Sequence, residues 1–275
     1  MAHTTETDAQ PAELVGLGVD VGGTGIKIGR IDLRAGTVIG ERIYIDTPKP
    51  ATPEAVVKTI AGALEDLGWT EPVGIALPTV IHKGVAQIAY NIDKTWIGTN
   101  VEELLEKHLP NNTALTLNDA DAAGITESAF GAAKGTKGLT LLLTLGTGIG
   151  SALLLDGRLV PNSELGHVLV RSFDGETVDE TENLAAPSLK ESNGWSYEEW
   201  VPRINSVLTQ LEHVLWPRLI VIGGGISAES EHWFPMLTNR TKVVAATRLN
   251  DAGIIGAAAF AAADAGIIDL TAVFH

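Results

Sequence analysis

Two short segments of glycine and threonine constrain this chain more than any other feature of its sequence. The first is Gly22-Gly23-Thr24-Gly25, and the second is Gly146-Thr147-Gly148-Ile149-Gly150. Each lies between two apolar stretches rich in β-forming residues, so each is predicted to form the tip of a β-hairpin. A tip with few side chains exposes backbone N–H groups in a small arc, and such an arc binds anions, above all phosphate. Two such tips indicate two halves that grip a phosphate chain from opposite sides.

The composition excludes several classes of protein. The 275 residues are 45% hydrophobic, which is enough for one large domain or two modest ones. The 19 Lys and Arg against 34 Asp and Glu give a net charge of −15, which opposes binding to nucleic acid or an anionic membrane. The absence of cysteine excludes disulfides and thiolate zinc sites, so no structural zinc is expected. No signal peptide or membrane span is recognisable, so a cytoplasmic location is expected.

Hydrophobic patterning predicts alternating strands and helices along most of the chain. Strands are predicted over 14–21, 26–31, 38–45, 72–77, 115–118, 139–145, 149–155 and 219–222. Helices are predicted over 53–67, 100–109, 120–130, 196–216 and 253–265. Residues 173–191 are acidic and weakly patterned, and we expect a loop there with some helix.

The order of strand, glycine loop and strand occurs once in each half of the chain. This repetition predicts an α/β protein built from two related lobes with a cleft between them. The last predicted helix is expected to return to the first half. The smaller N-terminal lobe is therefore predicted over 13–120 plus 250–275, the larger lobe over 121–249, and a flexible tail over 1–12.

The residues around the first loop are more specific than the loop alone. Neither glycine segment is a Walker A loop or a dinucleotide fingerprint, since no helix follows either of them at once. Asp20 ends a predicted buried strand, where a carboxylate is costly unless it has a role such as holding a metal ion or its water shell. Lys27 is expected to point a cation back towards the same loop.

Five motifs in fixed order resemble those of the ROK-type sugar kinases, within the larger hexokinase and actin-like superfamily. They are D-x-G-G-T-x-x-K from Asp20, N-D at Asn118, L-G-T-G-I-G from Leu145, E-L-G-H from Glu164 and G-G-G-I-S from Gly223. Together they cover residues from about 15 to 262. The resemblance implies a two-lobed actin-like fold of the hexokinase (ASKHA) type with a central cleft.

One departure from the family pattern indicates which branch of the family this chain resembles. Typical ROK proteins carry a cysteine-rich zinc motif after E-x-G-H, whereas no cysteine follows His167 here. The runs Pro161–His167 and Trp195–Trp200 also resemble the actinobacterial branch of polyphosphate glucokinases and glucomannokinases, which lacks the zinc site. This branch implies transfer of a phosphoryl group from inorganic polyphosphate, ATP or both to the 6-hydroxyl of glucose, with mannose as a further candidate acceptor.

The resemblance also implies roles for individual residues. Asp119, at a predicted strand-to-helix junction, is expected to be the general base that takes the proton from the sugar 6-hydroxyl. Asp20 would hold Mg²⁺ through water. The expected sugar contacts are Thr79, Asn91, Asn118, Asp119, Glu164 and His167. The expected phosphate-donor contacts are Gly22, Gly23, Thr24, Lys27, Gly146, Thr147, Gly148, Gly223, Gly224 and Gly225. Glu180 and Glu182 are candidates for a further sugar-binding glutamate that the missing zinc motif normally supplies.

Plainer interpretations of these residues stay open. The loops could be ordinary tight hairpins, Asp119 and Asp251 could be helix caps, and His167 could be a satisfied core histidine. A net acidic protein should also repel a polyanion unless basic residues cluster locally. The basic residues that could form such a track around the two loops are Lys27, Arg30, Lys49, Lys58, Lys134, Lys137 and Arg158.

Two other functions compete with this hypothesis. The first is an ATP-only ROK kinase for another hexose or amino sugar, which would share the site and differ in the donor. The second is a sugar-sensing ROK repressor, but about 13 residues before the first strand leave no room for its helix-turn-helix domain. A homodimer is compatible with the sequence, which carries no coiled-coil signature.

Overall fold

A computed structural model describes residues 14–90 and 92–270 of the chain. Its first half contains, in chain order, β1 (Val15–Val21), β2 (Gly25–Asp32), β3 (Thr37–Asp46), α1 (Pro53–Asp66), β4 (Val73–Leu77), β5 (Ile81–His82), β6 (Val85–Ala86), α2 (Val101–His108), β7 (Ala114–Asn118) and α3 (Asp119–Phe130). Its second half contains β8 (Leu139–Leu145), β9 (Ile149–Leu155), β10 (Arg158–Val160), β11 (Leu169–Arg171), β12 (Val178–Glu180), α4 (Thr181–Ala185), α5 (Pro187–Asn193), α6 (Tyr197–Leu215), β13 (Leu219–Gly223), α7 (Ser230–Trp233), β14 (Val243–Ala245) and α8 (Ala252–Asp264).

The predicted strands and helices are confirmed to within one or two residues at their ends. Two of the predicted helix starts are also confirmed in atomic detail. Thr52 caps α1 by accepting a hydrogen bond from the Ala55 N–H at 3.3 Å, with Pro53 in the first turn. Ser196 and Glu199 form a reciprocal capping box at the start of α6. The predicted tail over 1–12 lies outside the described residues and stays a prediction.

Two five-stranded sheets repeat the same pattern of strand pairing. The first sheet has the order β3-β2-β1-β4-β7, and the second has the order β10-β9-β8-β13-β14. In each sheet the first three strands of the chain pair antiparallel and the next two join in parallel. Strands β1 and β8 are therefore equivalent, and each glycine loop follows the central strand of its own sheet.

Helices α3 and α8 lie between the two sheets. Helix α8 packs on β1 and β4 of the first sheet, α3 packs on β8 and β9 of the second, and the two helices contact each other. The outer faces of the sheets are covered by α1 and α2 on one side and by α6 on the other, which bury apolar side chains in two separate cores. The division of the chain into lobes at residues 120 and 250 stays a prediction.

The contact between α8 and the first sheet is made by backbone atoms. A carbon atom attached at Gly18 of β1 or at Gly74 of β4 would lie 1.8 Å from the carbonyl oxygen of Ile254 or of Ala257, respectively. No side chain fits at such a distance, so these two positions require glycine. The many alanines of α8 serve the same close approach, because small residues let helix and sheet backbones come together.

Two expectations from the sequence are wrong in detail. Asp251 precedes α8 but makes no capping hydrogen bond, because its own backbone is already helical and its carboxylate pairs with Arg42. The acidic segment 173–191, expected to be a loop with some helix, does contain α4 and most of α5, but it also contains the unexpected strand β12, which pairs with β11 as a hairpin. No helix in the described part of the chain is long and apolar enough to cross a membrane.

Substituting alanine for Gly74 should destabilise the fold. The added methyl group would force α8 away from β4, and overpacking of this kind typically costs about 1–3 kcal/mol or more. Urea unfolding should show a lower midpoint than wild type. The matched control is Gly62→Ala in α1, where nothing lies within 4 Å of the added carbon and a gain of about 0.5–1 kcal/mol is expected. Equal stability of the two variants would contradict the close approach described above.

Candidate active site

A cavity of about 410 Å³ opens between the two glycine loops. One wall is formed by Gly22–Thr24 and another by Gly146–Gly150, with Thr79 and Asp119 between them at the ends of β4 and β7. The remaining lining residues are Pro78, Ile88, Tyr90, Asn118, Thr144, Leu145, Ser151, Glu164, His167, Glu182 and Gly224. The two loops that the sequence singles out therefore face one space.

Hydrogen bonds to carbonyl oxygens fix the shape of both loops. In the first loop, Thr47 donates its hydroxyl to the Gly22 carbonyl at 2.7 Å and its N–H to the Thr24 carbonyl at 3.1 Å. In the second, Ser188 donates its hydroxyl to the Thr147 carbonyl at 2.6 Å and its N–H to the Gly146 carbonyl at 3.3 Å. These bonds satisfy the negative ends of the peptide dipoles within the protein. An anion in the cavity would therefore meet loops whose carbonyl oxygens already have partners.

Asn118 and Asp119 differ in position and contacts at the junction of β7 and α3. The Asn118 side-chain oxygen caps the helix by accepting from the N–H groups of Ala120 at 2.8 Å and Asp121 at 3.2 Å. The alternative in which Asp119 is the cap is therefore wrong, since Asn118 occupies the cap position. Asp119 is the first helical residue, and its side chain is open to the cavity. The expected contact of Asn118 with a sugar hydroxyl stays a prediction.

The carboxyl group of Asp119 is poised to titrate near neutral pH. Burial of the carboxyl among protein atoms and the nearby carboxylate of Asp20 raise the pKa of Asp119 to about 7, with a smaller contribution from Glu164. A hydrogen bond from the Ala120 N–H opposes the shift. Asp119 is solvent-exposed as a residue, and it lines the cavity between the two glycine loops.

Asp20 and Lys27 form an ion pair at the end of β1. The Lys27 ammonium nitrogen lies 3.0 Å from the Asp20 carboxylate. Neither residue lines the cavity itself, and the expected contact of Lys27 with a phosphate donor stays a prediction. Asp20 nevertheless lies close enough to Asp119 to shift its pKa. Two neighbouring carboxylates beside the first glycine loop are a donor set that fits a hard divalent cation.

Glu164 and His167 reach the cavity from a loop that follows β10. Ser151 of β9 holds this loop, because its hydroxyl donates to the Ser163 carbonyl at 2.8 Å and accepts from the Leu165 N–H at 2.9 Å. Burial raises the pKa of Glu164, His167 opposes the shift, and the carboxylate of Glu182 adds to it. The carboxylate of Glu164 lies 4.0 Å from Nε2 of His167, so the two do not hydrogen-bond directly.

Four side chains surround His167, and sequence reasoning missed one of them. The ring of Tyr90 stacks on the imidazole with centroids 4.1 Å apart and planes at 26°. Glu180 lies 2.8 Å from Nδ1, Glu182 lies 3.7 Å from the same nitrogen, and Glu164 faces Nε2. Tyr90 directly precedes Asn91, which was expected to bind the sugar. This position beside a predicted site residue is the sequence signal that could have identified Tyr90. His167 is therefore a lining residue of the cavity and not a core histidine.

The structure separates the two candidate glutamates. Glu182 lines the cavity and accepts a hydrogen bond from the Ile149 N–H at 3.3 Å, whereas Glu180 does not line it and lies on the Nδ1 side of His167. Ligand atoms of His167, Glu180 and Glu182 all lie within 4.8 Å of one another, so this trio could hold a metal ion.

The remaining predicted residues fall in three places. Thr79 lines the cavity, but its hydroxyl donates to the Ile88 carbonyl at 2.6 Å. Gly224 also lines it, Gly225 lines an adjoining cavity of about 310 Å³, and Gly223 is buried in β13 without reaching either. Asn91 lies outside the described residues, so its expected sugar contact stays a prediction.

Three of the basic residues that could form a track, Arg30, Lys137 and Arg158, lie away from the glycine loops. Lys137 precedes β8 and Arg158 pairs with Leu155, which places both at the end of the β8–β9 hairpin opposite its glycine loop, about 20 Å away. Arg30 lies towards the far end of β2, over the ring of Trp69. Lys58 pairs with Glu54. A continuous basic track through these residues is therefore not supported.

A third carboxyl with a raised pKa, that of Asp121, lies in the first turn of α3. Asp121 is 1% exposed, and one of its oxygens accepts from the Asn162 N–H at 2.8 Å. Its other oxygen has no hydrogen-bond partner among the described residues. Burial raises the pKa of Asp121 to about 7, with contributions from the carboxylates of Glu164 and Asp119. Since Asn162 precedes Glu164 by two residues, Asp121 ties the loop of Glu164 to helix α3.

The duplicated sheets and the shared cavity define an α/β protein of the actin-like class, as the resemblance implies. The ROK hexokinase of Thermus thermophilus has the same fold, with a TM-score of 0.72 at 23% identity over 93% of this chain and 100% of that one. The chain belongs to the ROK family, whose model matches residues 16–185.

Two relatives are more similar in sequence. A protein of Mycobacterium tuberculosis (strain CDC 1551 / Oshkosh), named polyphosphate glucokinase, is 47% identical over 262 residues, covering 95% of this chain and 97% of that protein. The inorganic polyphosphate/ATP-glucomannokinase of Arthrobacter sp. strain KM has a TM-score of 0.83 and 40% identity, covering 91% of this chain and 99% of that one. Both fall in the branch that the sequence resembles.

Asp121→Asn should reduce the pH dependence of stability. A carboxyl in the unfolded chain titrates near 4, whereas Asp121 in the folded chain keeps its proton up to about pH 7. The folded state therefore binds more protons in this window, and stability falls as the pH rises through it. Asparagine cannot titrate but keeps the acceptor for Asn162. The urea midpoint of the variant should therefore fall less than that of wild type between about pH 5 and about pH 8.

The control for this prediction is Asp66→Asn at the exposed end of α1, which should follow wild type. An equal fall in wild type and in Asp121→Asn would show that Asp121 does not hold a proton in the folded state.

Proposed function

We propose that this chain transfers a phosphoryl group from inorganic polyphosphate, ATP or both to the 6-hydroxyl of glucose, and also accepts mannose. The observation that carries the proposal is the place of Asp119. It lies between two phosphate-type loops on one side and the hydroxyl-binding pair Glu164 and His167 on the other, and its pKa is about 7. The names of the mycobacterial and Arthrobacter relatives support the acceptor and the donors.

Asp119 would act as the general base. As the sugar 6-oxygen attacks the terminal phosphorus of the donor, its proton passes to the Asp119 carboxylate. The bond from that phosphorus to the bridging oxygen breaks, and ADP or a polyphosphate shorter by one unit leaves. A pKa of about 7 suits this task, because about half of the carboxyl groups are ionised at neutral pH and the carboxylate still takes up a proton readily.

The two glycine loops would hold the phosphates of the donor. They face the cavity from opposite walls, and their carbonyl oxygens are already bonded to Thr47 and Ser188. The adjoining cavity shares Leu145, Gly146 and Thr147 with the main one and reaches Gly225, so it offers room for the nucleoside of ATP. Lys27 would need to leave Asp20 to reach a donor oxygen.

A divalent metal ion is expected in a kinase of this type, and we propose that it is Mg²⁺ held by Asp20 through water. Bound there, Mg²⁺ would neutralise charge on the donor oxygens. The mutual influence of Asp20 and Asp119 supports this position, because two close carboxylates favour a cation between them and the donor.

The decisive experiment is glucose 6-phosphate formation by the purified chain with Mg²⁺ and glucose, comparing ATP with medium-chain polyphosphate. Product with polyphosphate is the expected result. Product with ATP alone would leave a sugar kinase of the ATP-dependent kind, and phosphorylation of another hexose or an amino sugar instead would overturn the glucose assignment. Mannose in place of glucose tests the second acceptor.

Asp119→Asn should reduce turnover by about 10²–10⁴-fold, because the amide cannot accept the proton. Glucose binding, followed by tryptophan fluorescence, should change little, since the variant keeps the shape of the side chain. In wild type, kcat/KM should rise with pH through about pH 7 as Asp119 loses its proton. Turnover near that of wild type would remove Asp119 from the role of base.

A further inference from the structure

Among the residues that the structure describes, Glu180 hydrogen-bonds to the lining of the candidate sugar site at His167 and does not line the cavity itself. It ends strand β12, and its carboxylate lies 2.8 Å from Nδ1 of the imidazole. His167, Glu164 and Glu182 line the cavity, whereas Glu180 does not. The role of Glu180 is therefore not explained by contact with a ligand.

We propose that Glu180 is a positioning residue that keeps the proton of neutral His167 on Nδ1, so that Nε2 presents a lone pair to a sugar hydroxyl. An ionised carboxylate can only accept hydrogen bonds, so the ring nitrogen that faces it must carry the proton. In a neutral imidazole the other nitrogen is then an acceptor. The identity of the ligand as a sugar rests on the proposed function, but the tautomer does not.

Hydrogen bonds of Thr181 fix the position of Glu180 relative to His167. Thr181, the next residue after Glu180, is fully buried, and its hydroxyl lies 2.6 Å from the carbonyl oxygens of both Leu165 and Gly166. Its N–H donates to the Val168 carbonyl at 3.0 Å. The three carbonyl groups belong to residues on either side of His167 in the sequence. These bonds therefore hold the end of β12 against the turn that contains His167.

Glu182 cannot take over this task. Its nearer oxygen lies 3.7 Å from Nδ1, beyond hydrogen-bond distance, and its other oxygen accepts from the Ile149 N–H. The stacked ring of Tyr90 restricts rotation of the imidazole out of this arrangement. Glu180 is thus the carboxylate placed to select the tautomer.

The tautomer of His167 determines which arrangement of sugar hydroxyls the site can bind. Nε2 of His167 and the carboxylate of Glu164 would be two acceptors 4.0 Å apart in the cavity wall. Two adjacent hydroxyls of a sugar can each donate to one of them, whereas a single hydroxyl has only one proton to give. The site would therefore select a vicinal diol and lose affinity for a sugar that lacks either hydroxyl.

Nitrogen-15 NMR of the histidine rings tests the tautomer without using activity. The chain has seven histidines, and the His167 signals are assigned by their loss in His167→Gln. At about pH 8, wild type should show a protonated Nδ1 and an unprotonated Nε2 for His167. In Glu180→Leu the ring should become a mixture of both tautomers. Glu180→Gln, whose amide oxygen still accepts, should restore the wild-type pattern.

Kinetics supply the second measurement. Glu180→Leu should raise the KM for glucose about tenfold with a smaller change in kcat, because the donor loops and Asp119 are untouched. Glu180→Gln should recover most of the loss. The matched control is Glu176→Leu, an exposed position in the turn of the same hairpin, which should behave as wild type.

Three results would overturn the proposal, and the first two need no substitution at Glu180. One is a His167 ring protonated on Nε2, alone or together with Nδ1. Another is a stoichiometric metal ion found by mass spectrometry and lost in His167→Gln, since the metal would then hold Nδ1. The third is an unchanged tautomer in a folded Glu180→Leu variant. Lack of kinase activity with an Nδ1–H tautomer in wild type would count against the proposed function alone.

Discussion

The close contact between helix α8 and its neighbours determines where the active-site groups lie. On one side, α8 meets the backbones of β1 and β4 at Gly18 and Gly74, and on the other a carbon at Gly256 would lie 1.8 Å from the Ala122 carbonyl of α3. Strand β1 leads into the first glycine loop, and α3 begins at Asp119. The close packing of α8 against β1, β4 and α3 therefore fixes the distance between the first glycine loop and Asp119, the candidate base.

The electrostatics of the cavity follow from this geometry. Burial and the carboxylates of Asp20 and Glu164, which come from other elements, raise the pKa of Asp119. Burial and the carboxylate of Glu182 raise the pKa of Glu164. The Lys27 ammonium is already paired with Asp20. A polyanionic donor would therefore meet a site that is short of positive charge until a cation arrives. This arrangement makes metal binding and donor binding interdependent in the proposed reaction.

The distribution of basic residues bears on how a long donor could bind. Lys137 and Arg158 lie at the far end of the β8–β9 hairpin, and the chain as a whole carries a charge of −15. Favourable contact with polyphosphate would then come mainly from backbone N–H groups and bound metal near the loops. Lys49, two residues after the Thr47 that buttresses the first loop, is a cation close to that region.

Local patterns in the sequence were sufficient for the elements and loops, because glycine tips, the Thr52 cap and the Ser196 capping box depend on neighbours in the chain. The ordered motifs also indicated the residues of the cavity wall. Only the tertiary structure decided that Glu182 faces the cavity while Glu180 holds His167, and that Tyr90 stacks on the imidazole. These outcomes depend on contacts between segments that are distant in sequence, and hydrophobic periodicity carries no information about which polar groups will meet. The raised pKa of Asp119 belongs with them, since burial and charges from other elements create it.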